Sequence, residues 1–251
     1  MDILVSLAAG LATSLFFMGM ASLAVYWALI RSFKPRTAIL LGALVLLVYV
    51  GGSFVAGQMG DHPDSLAGIQ QAFDQIWQSK AKTFADDKIP QSEIDMYQKI
   101  LKNYFLFCLP AWVVSGSLFI GFIAYYLVSS MGSRLTPRIT APVPFWRWMI
   151  PEPVVFGVVL GAGMVAFAPA GTLWEIVGDN LLVLFGLVYA FAGLPILSFF
   201  FNKWRFPIVA RVLCYFLLFE LTFVVVFCVL GVMDVWLDFR KLKKPTVELT
   251  A

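Results

Sequence analysis

Six runs of apolar residues, separated by short clusters of charge, constrain this chain more than any other feature. They cover 3–30, 38–56, 104–128, 153–168, 180–200 and 208–236. A helix that crosses the hydrocarbon core of a bilayer needs about 20 apolar residues, with a range of about 17–25. No water reaches the backbone there, so each run must satisfy its own N–H and C=O groups, which a helix does. Composition agrees: 61% of the residues are hydrophobic and 13% charged, whereas a soluble domain carries about 25% charged residues. The expected fold is all-α, a polytopic membrane helix bundle of about six transmembrane segments that forms a single integral membrane domain over 1–251. The fourth run is short, and reads either as a span of little tilt or as a partly re-entrant segment. The first and last are long enough to tilt, kink or project beyond the hydrocarbon. The first run follows Asp2 rather than a basic stretch and is too long for a signal peptide, so it reads as a retained span.

Lysine and arginine placement orients the spans. Arg31, Lys34 and Arg36 lie in loop 31–37, Arg134, Arg138 and Arg147 in loop 129–152, and Lys203 and Arg205 in loop 201–207. The loop at 169–179 holds Glu175 and Asp179 and no cation. These loops agree on an outside N-terminus with the three basic loops cytoplasmic. The tail breaks the pattern, because Arg240, Lys241, Lys243 and Lys244 also belong on the cytoplasmic side, which six full spans forbid. Either the last run is not one simple crossing, or one of the other five is not.

Residues 57–103 form the sizeable polar region, an amphipathic helical insertion between the second and third spans. Ile69, Phe73, Ile76 and Trp77 recur at helical spacing, with Ser65 placed to start that helix. After Asp86, Asp87 and Pro90, the pair Ser92 and Asp95 resembles a capping box. Ile94, Tyr97, Leu101 and Tyr104 then carry a second stripe into the third span. The outcome is a helical hairpin on the extracytoplasmic side, whose simplest role is structural, lying in the interface.

Small residues mark where helices touch, since close backbone approach is the main packing device among apolar helices in lipid. Gly157 and Gly161 form G-x-x-x-G in the fourth run, Gly186 and Ala190 repeat the spacing in the fifth, and Ser117 and Gly121 in the third. Pro195 is placed to kink the fifth helix. Trp146, Trp148, Trp174, Trp204 and Trp236 fall at segment ends, where interfacial aromatics belong. Cys108, Cys214 and Cys228 all lie in apolar sequence and read as small buried residues rather than a disulfide framework.

No catalytic constellation stands out. His62 is the only histidine, and no Gly-rich phosphate loop, G-x-S-x-G or H-E-x-x-H is present. The chain therefore reads as no enzyme, with no cofactor and no metal site, and its formal charge of +3 is too small to call for nucleic acid. Glu220 is the candidate ligand-binding residue, because an ionisable group in apolar sequence is costly unless it has a use. Arg211, nine residues before it, faces away on a straight helix. A second feature is the interface cluster of Asp234, Asp238, Arg240 and Lys241. Helical spacing puts Asp234, Asp238 and Lys241 on one face and Arg240 on another. A third is 146–153, where Pro151 and Pro153 enforce an extended entry and Glu152 sits at a helix start.

The stretch Pro142-Val143-Pro144-Phe145-Trp146-Arg147-Trp148-Met149-Ile150-Pro151-Glu152-Pro153, the span starting at Asn180 and the ending from Leu230 to Arg240 resemble the YybS-like family of bacterial membrane proteins of unknown function. The resemblance covers roughly 90–244. It implies the cytoplasmic (inner) membrane of a bacterium and a multi-pass chain. Through a distant similarity to the S components of energy-coupling-factor transporters, it implies a small-molecule ligand bound among the helices. Two readings follow: a transport-type protein with Glu220 near the ligand, or a structural or assembly subunit docked to a membrane protein partner. The lipid bilayer is the partner common to both.

Overall fold

The structure, a computed structural model, describes residues 2–59, 65–86, 90–169, 171–216 and 221–242. Among them it is all helical. Three helices are long and apolar enough to cross a membrane, over Pro35–Val55, Leu109–Leu135 and Leu173–Lys203. Shorter apolar helical stretches run over Leu15–Ile30, Glu152–Phe167 and Val224–Leu237. The single domain read over 1–251 is drawn as two compact units, Met1–Ala141 and Pro142–Ala251.

The N-terminal unit contains α1 (Asp2–Ile30), α2 (Pro35–Met59), α3 (Ser65–Asp86), α4 (Gln91–Phe107) and α5 (Leu109–Leu135). The turn from α1 to α2 is tight: Ser32 takes the left-handed conformation at φ 60°, and the Phe33 N–H closes back on the Ala28 carbonyl at 3.0 Å. Pro35 then opens α2, where its fixed φ suits the first turn and its missing N–H costs nothing. Helices α1, α2 and α5 pack through small residues. A Cβ on Gly121 would lie 2.7 Å from the Ile39 carbonyl oxygen, and one on Gly42 2.9 Å from a Val25 methyl. Alanines 21, 28, 43, 111 and 124 fill the same interface and are buried.

The polar insertion is a pair of helices, as its two stripes require. Phe73 stacks with Trp77 and meets Phe105, which in turn meets Trp112 at the start of α5. Across the pair, Asp74 accepts hydrogen bonds from Lys102 at 2.7 Å and Gln98 at 3.2 Å. The capping box does not form, because α4 begins at Gln91 behind Pro90 with no side-chain cap bond, which leaves Ser92 inside the first turn. Between α4 and α5 only Cys108 departs from helix. Pro110 supplies the break by removing a backbone donor from the α5 start.

The C-terminal unit contains α6 (Val155–Phe167), α7 (Leu173–Lys203), α8 (Ile208–Phe216) and α9 (Leu221–Leu237), preceded by an irregular strap with short 3-10 turns at Phe145–Arg147 and Glu152–Val154. Helix α7 starts at Leu173, well before the run marked from 180. Glu175 and Asp179 had the look of a loop. Instead, Thr172 takes the extended N-cap conformation and Glu175 accepts a hydrogen bond from the Gly171 N–H, so the acidic residues serve the helix start. The last run, 208–236, is described as two helices, with 217–220 outside the described residues.

Helices α6 and α7 form an antiparallel hairpin. A Cβ on Gly157 would run into the Phe185 ring, and one on Gly161 would lie 3.0 Å from the Leu182 nitrogen. From the other side, Gly178 has no room for a Cβ against Met164 and Val165, at 2.9 Å each. The strap covers the second half of α7, where Phe145 meets Phe191 and Trp146 meets Phe199.

Candidate functional site

The site begins where α9 stops. Its apolar run ends at Leu237, and the next residue, Asp238, takes the left-handed conformation at φ 42°. Aspartate tolerates that region better than most residues. Lys241 repeats it at φ 50°, and two left-handed residues in so short a stretch turn the chain back on the helix. The reversal is held locally. Asp234 accepts from the Phe239 N–H at 3.0 Å, and Asp238 from the Leu242 N–H at 2.9 Å.

The turn carries Arg240 back under the helix end. Its Nη2 donates to Asp234 Oδ2 at 2.7 Å. Its Nη1 donates to the carbonyls of Trp146 and Trp148 at 2.9 and 2.8 Å. Both charged residues are buried, with Arg240 5% and Asp234 6% exposed. Helical spacing grouped Asp234 with Lys241 and turned Arg240 away, but it is Arg240 that pairs with Asp234, while Lys241 is exposed. Helical spacing gave the other answer because it holds only while the helix continues.

The strap needs such a donor. Pro142, Pro144, Pro151 and Pro153 carry no N–H and keep 142–153 out of α-helix and sheet apart from two short 3-10 turns, so most of its carbonyls lack ladder partners. A guanidinium presents a planar fork of donors that can serve a carboxylate and two carbonyls together, which an ammonium does less well. Arg147 takes no part in the pair; it stacks over Trp146 at 4.5 Å on the exposed side.

Below the pair, α9 crosses α7 at very short range. A Cβ on Gly231 would run into the Tyr189 carbonyl oxygen, and one on Gly193 into that of Phe227. Gly186 faces the same helix with room, its added Cβ meeting only Cys228 Sγ at 4.0 Å, and Ala190 is half-buried. The tightest contact thus falls on glycines that the four-residue spacing did not single out. The seven-residue interval from Gly186 to Gly193, two helical turns on one face, was the signal available. Beside the crossing is a small cavity of about 20 Å³ whose walls include Glu152, Tyr189, Ala192, Gly231, Asp234 and Arg240.

Glu220 lies outside the described residues, as do His62, Lys243 and Lys244. Arg211 is committed elsewhere. It donates to the Phe206 carbonyl at 2.9 Å, to Asn202 Oδ1 at 2.8 Å and to the Phe201 carbonyl at 3.3 Å, closing the end of α7. Among the described residues no three His, Cys, Asp or Glu side chains converge as a metal site would need.

Long apolar helices packed through glycine, with charge kept to their ends, to the α3–α4 pair and to one buried ion pair, define a helical membrane protein. The chain belongs to the family described as "Predicted membrane protein (DUF2232)", whose profile matches residues 1–235. The match takes in the N-terminal helices as well as the C-terminal unit, and ends after Asp234 but before Arg240. No curated protein and no solved structure matches the chain.

Proposed function

We propose that this chain is a non-catalytic, multi-pass subunit of a bacterial inner-membrane complex, working through its lateral faces. The observation that carries this reading is a contrast between two hollows of the C-terminal unit. The one beside the buried ion pair holds about 20 Å³, whereas an open groove of about 540 Å³ between α6 and the start of α7 is lined by Val159, Leu160, Gly163, Met164, Phe167 and Trp174, among others. A groove of this chemistry suits the side chains of a neighbouring apolar helix, and Gly163 has nothing within 4 Å of an added Cβ, so a backbone can come close. A photo-crosslinker at Leu160, activated in native membranes, tests the reading. A defined protein adduct supports it; adducts with lipid alone contradict it.

The topology belongs to the same proposal. Loops 31–37, 129–152 and 201–207 are cytoplasmic and 57–103 is extracytoplasmic, by the lysine and arginine asymmetry. Arg240 bonds to the 146–148 carbonyls, so the tail shares the side of that loop. Helices α8 and α9 then enter and leave by one face. Their nine and seventeen residues give about 14 and 26 Å at 1.5 Å per residue, each short of the roughly 30 Å core. Five runs cross, the sixth is re-entrant, and the basic clusters of the three loops and of the tail are all cytoplasmic.

A second reading is the transport-type one, with a small ligand bound as in S components. The burial of Tyr189, Asp234 and Arg240 around one cavity favours it, since buried ionisable groups in membrane helices often mark solute paths. It predicts a small molecule that copurifies with the parent and is lost from Glu220→Gln; its absence from both removes the reading.

A further inference from the structure

The ion pair of the tail leaves two polar atoms of its neighbourhood unused. The Tyr189 hydroxyl and Arg240 Nε are buried and have no hydrogen-bond partner among the described residues. Tyr189 is 0% and Arg240 5% exposed. Both residues line the cavity of about 20 Å³ beside Asp234. A buried hydroxyl and a buried guanidinium N–H without partners are rare in folded proteins, and ordered water is the usual remedy.

Size and chemistry narrow the occupant. A cavity needs about 10–15 Å³ to hold one water, and a buried water typically makes about three hydrogen bonds. The space admits one such molecule and nothing larger. The guanidinium Nε–H can only donate, the phenol can donate or accept, and the Asp234 carboxylate has acceptor capacity beyond the two bonds it already takes. A small anion would meet the Asp234 carboxylate, and a cation would meet the guanidinium. A neutral molecule that both accepts and donates fits all three.

We propose that this cavity is a single-water site. The water accepts from Arg240 Nε, exchanges a hydrogen bond with the Tyr189 hydroxyl and donates to Asp234. It thereby ties the tail to the middle of α7, where Arg240 otherwise reaches only the strap and α9. The close crossing at Gly231 brings the Tyr189 backbone against α9, next to the wall that Asp234 and Arg240 share with it.

The sign of one substitution tests this in the full chain, purified into lipid nanodiscs. If the hydroxyl were unpartnered, Tyr189→Phe would remove a buried unsatisfied group and leave the melting temperature unchanged or raised. With the water in place, the substitution strips a bridging partner and lowers it by about 2–4 °C, the shift of a single hydrogen bond in a chain of this size. An experimental map that resolves buried waters gives the second reading. A peak within hydrogen-bond distance of Tyr189 Oη and Arg240 Nε is the expected result. An unchanged or raised melting temperature, or a map with the cavity empty or filled by a protein side chain, overturns the proposal.

Discussion

Two ion pairs of the same length, one in each unit, sit in opposite surroundings. Lys102 meets Asp74 at 2.7 Å on the α3–α4 hairpin with side chains 27% and 34% exposed; Arg240 meets Asp234 at 2.7 Å with side chains 2% and 8% exposed. The first keeps water close, so each charge alone would remain solvated. The second has exchanged bulk water for fixed partners: a carboxylate, two strap carbonyls and the Phe239 N–H. A surface pair is nearly dispensable, whereas a buried pair is costly to break because the remaining charge has nowhere to go. Distance alone does not rank the two. Burial and the number of groups that depend on the pair do.

The largest expected effect follows from this difference. Arg240→Ala leaves the Asp234 carboxylate and the Trp146 and Trp148 carbonyls without their shared donor, and should cost about 3–5 kcal/mol, read as thermal or denaturant stability in nanodiscs. Lys102→Ala under the same conditions should melt close to the parent. Equal losses would mean that the buried pair is solvated after all.

Helix contacts come next. Gly231→Ala drives a methyl into a backbone carbonyl of α7, which cannot move aside alone, and should fall at the upper end of the overpacking range of about 1–3 kcal/mol. Gly186→Ala, whose added methyl would lie 4.0 Å from Cys228 Sγ, should be nearly silent. Similar losses at the two positions would place the α7–α9 crossing elsewhere. Gly157→Leu meets the ring of Phe185, which can shift, so a loss at the lower end of the same range is expected; a melting temperature equal to the parent's would turn that face toward lipid.

Acid should produce the smallest effect, and it is read in the hairpin. The hydrogen bond from Lys102 holds the Asp74 carboxyl below its ordinary value, with smaller help from Gln98 against the opposing pull of desolvation. A depressed carboxyl pKa stabilises the fold above the unfolded value, near 3.8, and loses that contribution as pH falls through the folded value. Protection of α4 amides from hydrogen exchange should therefore decline below about pH 4 in the parent. In Asp74→Asn the protection should not respond to pH over that window, and a parallel decline would assign the effect to another group.

How far the sequence revealed this molecule also divides along the same line. Apolar runs located α1, α2 and α6 closely, because burial of backbone in lipid leaves helix as the only outcome for such runs. Charge misled at the start of α7, where Glu175 and Asp179 have the composition of a loop yet lie in the first turns of a helix. The candidate site was half legible. Asp234 and Arg240 both stood out as charges at the end of an apolar run, but their pairing depends on two left-handed residues, Asp238 and Lys241. Neither is a glycine or asparagine that would announce a turn, so helical spacing assigned Asp234 the wrong cation. The glycines of the α7–α9 crossing were hidden for another reason. Each contact joins one glycine to the backbone of a different helix, so the seven-residue interval from Gly186 to Gly193 could mark a face of α7 but not the partner it meets.

The measurement that bears most directly on the buried pair is a double-mutant cycle on Asp234→Asn and Arg240→Met, read as unfolding free energy of the full chain in nanodiscs. If the pair holds the tail as described, each single variant strands a buried partner, and the double variant should lose far less than the two losses added, leaving a coupling of about 1.5 kcal/mol or more. Additive losses, with no coupling between Asp234 and Arg240, would contradict the account.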